Sequence, residues 1–501
     1  MLDITINEKR VQKTIERFRE RNIILPTFKQ MKNPELVPDK ISQKLKDIGL
    51  WDVDSRNLFR ISWKNDISNG GFNGVNYMEM PPELTGVDAR IIALVGKWFP
   101  TGAHKVGAAY GCLAPRLVTG EFDPINEKAV WPSTGNYCRG GAYVSSLMGC
   151  HSVAILPEEM SKERFEWLKS IGSEVIATPG CESNVKEIYD KCWELRRSGD
   201  ALTIFNQFDE PGNPLWHYEV TGHAIEDVLK KEMRTGDRYF GYCVATGSAG
   251  TIGAGEYLKE RYPTSKVIAT EALQCPTLLM NGFGAHRIEG IGDKHVPWVH
   301  NVKNTDMIIA MDDVPVMNAM RLFNEEAGKK YLVDQGVSQE LIDKLPLLGI
   351  SSISNMMTCI KAAKYFELGE SDVLFTIFTD SMGMYGSRLE EQNAQNGPFT
   401  RDDAILAFHR DIHSIKTDFM KELGHYDRKR IHNLKYFTWI EQQGKDLAEL
   451  NAQWNDPNYW PDRWHMAERY DELIEDFNRR TGLLESSSCV FGLENRVTQL
   501  P

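Results

Sequence analysis

The sequence predicts an α/β protein with mostly parallel sheet, followed by a helical C-terminal extension. Three observations carry this. Between about residues 85 and 390, short apolar runs of strand length alternate with longer amphipathic segments, the pattern of strands joined by crossover helices. Small-residue turns follow several of those runs. After about residue 390 the strand signals fade, and Trp, Tyr, His and charged residues recur at helical spacing.

Taken in order, residues 1–84 read as an N-terminal extension: a charged helical lead, then a loop-rich stretch. Asn69-Gly70-Gly71-Phe72-Asn73-Gly74 marks a flexible junction there. The central region, 85–390, opens with the strand-like run 90–95. Runs at 152–156, 174–177, 242–244, 266–270 and 373–378 continue the series. Residues 391–501 read as helices packed on the core. Their aromatics Trp439, Trp454, Tyr459, Trp460 and Trp464 are expected to pack rather than to gate a site.

A chain of 501 residues buries a large core and is expected to form more than one domain. Its net charge of −12 argues against nucleic acid or an anionic membrane as a partner, since both need a basic face. No apolar run of about 18 residues suggests a membrane span. Nine scattered cysteines, without a CxxC pair or a signal peptide at the start, fit reduced thiols in a cytoplasmic setting. His409 and His413 stand four apart on an expected helix, but no third ligand accompanies them and no metal is expected.

The most informative stretch is Thr101-Gly102-Ala103-His104-Lys105-Val106. It holds a lysine between turn-forming residues and an apolar helix start. Desolvation there makes the amine a usable nucleophile. An isolated motif of this kind is more often a surface lysine after a glycine turn; here four further elements follow in order. Ser133-Thr134-Gly135-Asn136 enters a small-residue helix, and its asparagine can donate to a phenolate oxygen. Ala245-Thr246-Gly247-Ser248-Ala249-Gly250-Thr251 lies between a strand and a helix, where backbone N–H groups and the helix dipole cradle a phosphate. Thr379-Asp380-Ser381 ends an apolar strand, at the edge where parallel sheets hold ligands. Gly290-Ile291-Gly292 and Gly349-Ile350-Ser351-Ser352 are turns that can line the same crevice.

In this order the residues resemble the fold-type II pyridoxal-phosphate enzymes, the tryptophan synthase β family. The resemblance covers roughly 90–390 and is nearest to the cysteine synthase and cystathionine β-synthase branch. Pro157-Glu158-Glu159-Met160-Ser161 is similar to that branch's PETMS segment. Asn206-Gln207-Phe208 with Pro211-Gly212-Asn213-Pro214 is similar to its QF…NPAN segment. His286-Arg287-Ile288-Glu289-Gly290-Ile291-Gly292, with Pro297 beyond, is similar to HKIQGIG…P, and Thr379-Asp380-Ser381 to PDS. The TGAHK stretch itself is nearer to tryptophan synthase β.

The resemblance implies a two-domain core of parallel-rich twisted sheets flanked by helices, with 110–222 as a smaller mobile domain. It implies pyridoxal 5′-phosphate as cofactor, with Lys105 forming the internal aldimine and acting as general base at Cα. Asn136 would hold the 3′-oxygen and Ser381 the pyridine nitrogen. Gly247, Ser248, Ala249, Gly250 and Thr251 would bind the phosphate, with His104 adding a contact. Ser133, Thr134 and Gln207 would hold the substrate carboxylate, beside Tyr137. The implied activity is β-elimination or β-replacement on a small L-amino acid such as cysteine, serine or an activated serine, through an aminoacrylate. The sequence leaves elimination and replacement open. A serine at the ring nitrogen makes a weaker electron sink than an acid would, which suits loss of a β-substituent. A homodimer is expected.

Departures from the family pattern matter too. Tyr137 stands where relatives carry Thr or His, and its ring is expected to reshape the substrate pocket. The phosphate loop reads GSAGT rather than a GTGGT-like sequence. No glutamate accompanies Ser133–Asn136, which argues against indole chemistry. Cys138 is expected to be a buried structural thiol and Arg139 a solvated helix residue. Other readings are a serine/threonine-type deaminase and a catalytically idle relative that binds a partner through its extensions.

Overall fold

The computed structural model describes residues 4–484, apart from positions 134, 182 and 183. Its strands are β1 (Tyr77–Met80), β2 (Arg90–Val95), β3 (Lys128–Pro132), β4 (Ser152–Pro157), β5 (Glu174–Thr178), β6 (Leu202–Ile204), β7 (Arg238–Ala245), β8 (Lys266–Ala272), β9 (Met307–Met311), β10 (Asp372–Phe378) and β11 (Met420–Glu422). They form two sheets. One has the order β1-β2-β10-β7-β8-β9-β11; the other has the order β5-β4-β3-β6. All pairings are parallel except at the two edges of the larger sheet, where β1 and β11 run antiparallel to β2 and β9.

Every residue of β2, β9 and β10 is buried. That explains their unbroken apolar runs, because helices cover both faces of a parallel sheet. β10 pairs with β2 in the register Val373↔Arg90 through Phe378↔Val95, so both strands end together, just before Thr379-Asp380-Ser381 on one side and Gly96 on the other.

The helix Lys105–Thr119 runs through the largest apolar cluster and is buried along its length except at Lys105 and Arg116. Two of its glycines permit close approach. A Cβ on Gly107 would lie 2.1 Å from the Trp216 ring, and one on Gly111 would lie 2.4 Å from the Gly212 carbonyl oxygen. The short helix Gly212–Trp216 therefore lies flat against the lysine-bearing helix.

The lead and the tail pack on each other as well as on the core. The helix Glu8–Arg21 buries Val11, Ile15 and Phe18, a stripe at helical spacing, against the C-terminal helix Met466–Thr481. Phe18 meets Phe477 edge-on at 5.3 Å. The Asn478 amide accepts from Leu25 N–H at 3.1 Å and donates to Leu25 C=O at 2.7 Å. Lys435, fully buried, donates to the carbonyls of Trp298 and His300 and to Gln453 Oε1 at 2.7–2.9 Å, fixing the tail to a core loop. The 69–74 loop is held by Arg60, whose guanidinium donates to the Leu45 and Gly70 carbonyls. Among the described residues no helix is long and apolar enough to cross a membrane.

Candidate active site

Lys105 enters its helix from an unusual turn. Thr101 and Gly102 both have left-handed backbones, φ 70° and 68°. For a β-branched threonine this is strained, and such strain gathers at functional turns. Lys105 Nζ donates to Gln207 Oε1 at 3.3 Å and to Ser248 Oγ at 3.2 Å, so one side chain spans from the Gln207 segment to the loop after β7.

Around it the structure assembles Ser133, Asn136, Gln207, Gly247 and Ser248, with Gly290, Gly292 and Thr379, on a cavity of about 30 Å³. Gln207 Nε2 donates to Ser133 Oγ at 3.0 Å, and Gly135 N–H donates to the same oxygen at 3.2 Å. Thr134 lies outside the described residues. Ala249, Gly250, Thr251 and Ser381 stand next to the lining rather than in it. Ser381 is buried at the end of the β10 strand. Ala249 adopts a left-handed φ of 59°, which turns the 247–251 loop into a concave run of N–H groups at the start of the helix Ile252–Arg261.

His104 does not border the cavity. Its ring packs edge-on to His217 at 4.9 Å and beside Trp63, with Nε2 3.3 Å from Thr379 Oγ1. Burial, reinforced by the Lys105 charge, holds it well below the usual histidine range, so it is neutral.

Tyr137 borders the cavity, but its ring is turned into the core. It meets Trp131 edge-on at 5.4 Å, and its hydroxyl faces the Cys112 thiol. Cys138 donates to the Gly135 carbonyl at 2.9 Å, and burial pushes its thiol up to about 12, which leaves it unreactive. Arg139 overturns expectation. It is not solvated but fully buried, stacked on Trp167 at 4.5 Å with Nη1 2.7 Å from Met384 Sδ. Burial and the nearby Arg164 lower it to about 10. A helix residue with a charged side chain gave no sign of this, because the burying partners come from distant segments. The two tail histidines have ordinary roles: His409 bonds the Tyr331 hydroxyl at 2.7 Å, and His413 packs on Phe408 and Gly86.

Motif reading assigned no role to Asp380, Glu289 and Asn213, and it missed Arg164, Tyr385 and Arg388 altogether. Asp380 Oδ2 accepts from Asn136 Nδ2 at 2.6 Å and from the Tyr385 hydroxyl at 2.7 Å. Arg164 donates to that hydroxyl at 3.0 Å and pairs with buried Glu289 at 2.9 Å, which Arg388 also holds at 2.5 Å. Burial raises the Asp380 carboxyl above its usual range, opposed by its two donors and by Arg164. Asn213 Nδ2 donates to the Gln207 carbonyl at 2.8 Å and to Ser248 Oγ at 3.1 Å. Its NPxN-like segment was the only sequence signal for it.

The comparison with known sequences now decides the family. Residues 98–379, more than half of the chain, match the family described as "Pyridoxal-phosphate dependent enzyme". The chain belongs to that family. This pyridoxal-phosphate enzyme is 25% identical over 375 residues to cystathionine beta-synthase of Saccharomyces cerevisiae, covering 73% of this chain and 70% of that protein. It is 29% identical over 287 residues to cysteine synthase of Staphylococcus aureus, covering 57% of this chain and 84% of that one. Two solved structures share its fold. They are the O-acetylserine dependent cystathionine beta-synthase of Helicobacter pylori (TM-score 0.52, 23% identity, 62% of this chain and 95% of that chain) and a hydrogen sulfide-producing enzyme of Fusobacterium nucleatum (TM-score 0.53, 22% identity, 67% and 92%). The fold is the fold-type II one, with the lead and tail lying largely outside the matched region.

The donors present suit the family's cofactor. Asn136 Nδ2, an amide donor with two hydrogens, borders the cavity and uses one on Asp380. In the 247–251 loop Gly250 has no room for a side chain, since a Cβ there would lie 2.0 Å from Asn213 Oδ1. The cavity is narrow because Lys105 bridges it.

Proposed function

We propose that the protein catalyses β-replacement or β-elimination on a small L-amino acid, cysteine, serine or an activated serine, with pyridoxal 5′-phosphate held at Lys105. The observation that carries the reading is the convergence of Lys105, Ser133, Gln207 and Ser248 within one hydrogen-bonded set beside the concave 247–251 loop.

The cofactor, when bound, supplies electron withdrawal from the substrate's Cα. The chain supplies the rest. Gly247, Ser248, Ala249, Gly250 and Thr251 hold the phosphate through backbone N–H groups and hydroxyls. Ser381 offers a neutral hydroxyl to the ring nitrogen, and Asn136, oriented by Asp380, addresses the 3′-oxygen. Ser133 and Gln207 take the substrate carboxylate, with the Gly135 N–H beside them. Lys105 Nζ, once clear of Gln207 and Ser248, takes the proton from Cα; in replacement it returns a proton there, and in elimination the proton leaves with the β-substituent. Residues 110–222 carry the four-stranded sheet with Asn136 and Gln207, whereas Ser248 and Ser381 follow strands of the larger sheet. Relative motion of these two parts admits substrate and then excludes water.

Purified protein supplied with pyridoxal phosphate is expected to show the visible absorbance of lysine-bound cofactor, and Lys105→Ala to lose it while keeping the fold. A panel of cysteine, serine and O-acetylserine, with and without a thiol, is then followed for pyruvate, sulfide and thioether products. Absence of any visible band after reconstitution, or a band with no turnover of any of the three, overturns the reading.

A further inference from the structure

A second and much larger cavity lies behind the lysine-bearing helix. Its volume is about 840 Å³, within the range of roughly 300–1,000 Å³ typical of small-molecule sites. Four parts of the chain enclose it: residues 4–10 of the lead, the far half of Lys105–Thr119 and its end at 120–121 with the 209–215 segment, the loop at 298–299, and the tail between 445 and 470.

Its walls are both aromatic and charged. Trp298, Tyr459, Trp460, Trp464 and Tyr470 supply the apolar surface. Trp460 and Trp464 stack at 5.7 Å, and the buried Trp464 N–H has no acceptor. Four basic and four acidic side chains complete the lining, balanced in number. Six of the eight stand in three pairs: Arg116 with Glu210 at 2.7 Å, Lys445 with Asp209 at 3.0 Å and Arg463 with Glu449 at 3.1 Å. A bare anion or cation entering here would leave one member of a pair uncompensated. A ligand that presents an ammonium and a carboxylate together satisfies both members, and an apolar body matches the indole walls.

The wall is bonded to the catalytic lysine. Asp209, Glu210, Gly212 and Pro214 face the cavity, and Asn213 between them turns the other way. Its amide bonds the Gln207 carbonyl and Ser248 Oγ, and the side chains of those two residues hold Lys105 Nζ. A second contact crosses the partition: Cys112 lines the large cavity, Tyr137 borders the small one, and their thiol and hydroxyl face each other. Gly111 and Gly212, in backbone contact, allow no slack between helix and segment.

We propose that this cavity is an effector site for a zwitterionic ligand of amino-acid or short-peptide chemistry with an aromatic or apolar body, and that its occupancy shifts the 209–214 segment and so the contacts of Lys105. The effect on Lys105 rests on the function proposed above; the binding itself does not.

The test is calorimetric titration of the holoenzyme with L-tryptophan, L-phenylalanine, L-methionine and the dipeptide Trp-Gly, with the visible spectrum followed in parallel. At least one probe is expected to bind one site per chain without competing with the amino-acid substrate, and to alter KM or kcat for that substrate severalfold. Lys445→Gln and Arg463→Gln, mild changes at partly exposed side chains, are each expected to weaken that binding about tenfold with the melting temperature preserved. No binding by any probe, binding undiminished in both variants, or binding that alters the cofactor band and competes with substrate would overturn the site. Loss of the proposed catalytic function has a different signature, since a wild type without cofactor band or turnover can still bind the probes calorimetrically.

Discussion

Tyr137 separates two ways in which one residue can shape a site. A ring projecting toward the substrate would choose among substrates. A ring turned into the core would only brace the loop that binds them. The ring sits 1% exposed, edge-on to Trp131, with its hydroxyl against Cys112, so its main work is packing. Burial drives the phenol far above its usual range, which keeps it neutral. Tyr137→Thr removes most of a buried aromatic side chain, a change that costs about 2–4 kcal/mol from lost transfer energy and the cavity left behind. Urea unfolding should report that loss. The ratio of kcat/KM for two amino acids should stay as in wild type while both values fall together; a changed ratio would place the ring at the substrate after all. Asp380 acts at the same scale. Its carboxylate fixes the direction of the Asn136 amide and ties it, through Tyr385 and Arg164, to Glu289.

The helix Lys105–Thr119 is the element on which both cavities depend. Its first residue is Lys105, the lysine proposed to hold the cofactor, and its far half lines the larger cavity. Its position is set by contact with Gly212–Trp216, where backbone meets backbone. Gly111→Ala would put a methyl group 2.4 Å from the Gly212 carbonyl oxygen, and overpacking of this kind costs about 1–3 kcal/mol. Lower stability to urea should accompany weaker retention of pyridoxal phosphate, because the helix can relieve the clash only by carrying Lys105 with it. Full retention of both would show that the two helices slide freely. Elements of this kind were legible in the sequence to differing degrees. The runs 90–95, 152–156, 266–270 and 373–378 are buried parallel strands whose apolar composition is dictated by helices on both faces, so each could be read locally. β11 was not legible. It is three residues at a sheet edge, Met-Lys-Glu, with only Met420 half-buried, and its pairing with β9 is made across more than a hundred residues. Lys105, Asn136, Gln207 and Ser248 could be read from motifs because each sits where a strand or turn delivers it. Arg164 and Arg139 could not, since what defines them is who buries them.

At the scale of the whole molecule, the lead and the tail clasp each other, and one contact in the clasp responds to pH. Asp471, on the C-terminal helix, accepts from the backbone N–H groups of Phe28 at 2.6 Å and Lys29 at 3.0 Å. Burial raises its carboxyl to about 7, against the pull of those two donors. A carboxyl with a higher pKa folded than unfolded takes up a proton on folding, so its contribution is greatest at low pH and is lost as pH rises through about 7. Buried histidines act in the opposite sense. His300 and His432 are lowered to about 3, so they cost stability as pH falls through the usual histidine range near 6.5. Across the window from about pH 6.5 to 8 the histidine contributions are common to wild type and an Asp471 variant, so they cancel in a comparison of the two. Glu210, Glu256 and Glu271 are likewise raised to about 7 by burial, and their contributions too are common to wild type and variant. Asp471→Asn keeps the size of the side chain and removes its titration. The variant should lose about 1 kcal/mol less than wild type across that window, read as the difference in urea unfolding free energy at the two pH values. Parallel pH curves for the two proteins would mean that Asp471 stays ionised in the fold and that the clasp of lead and tail is indifferent to protons.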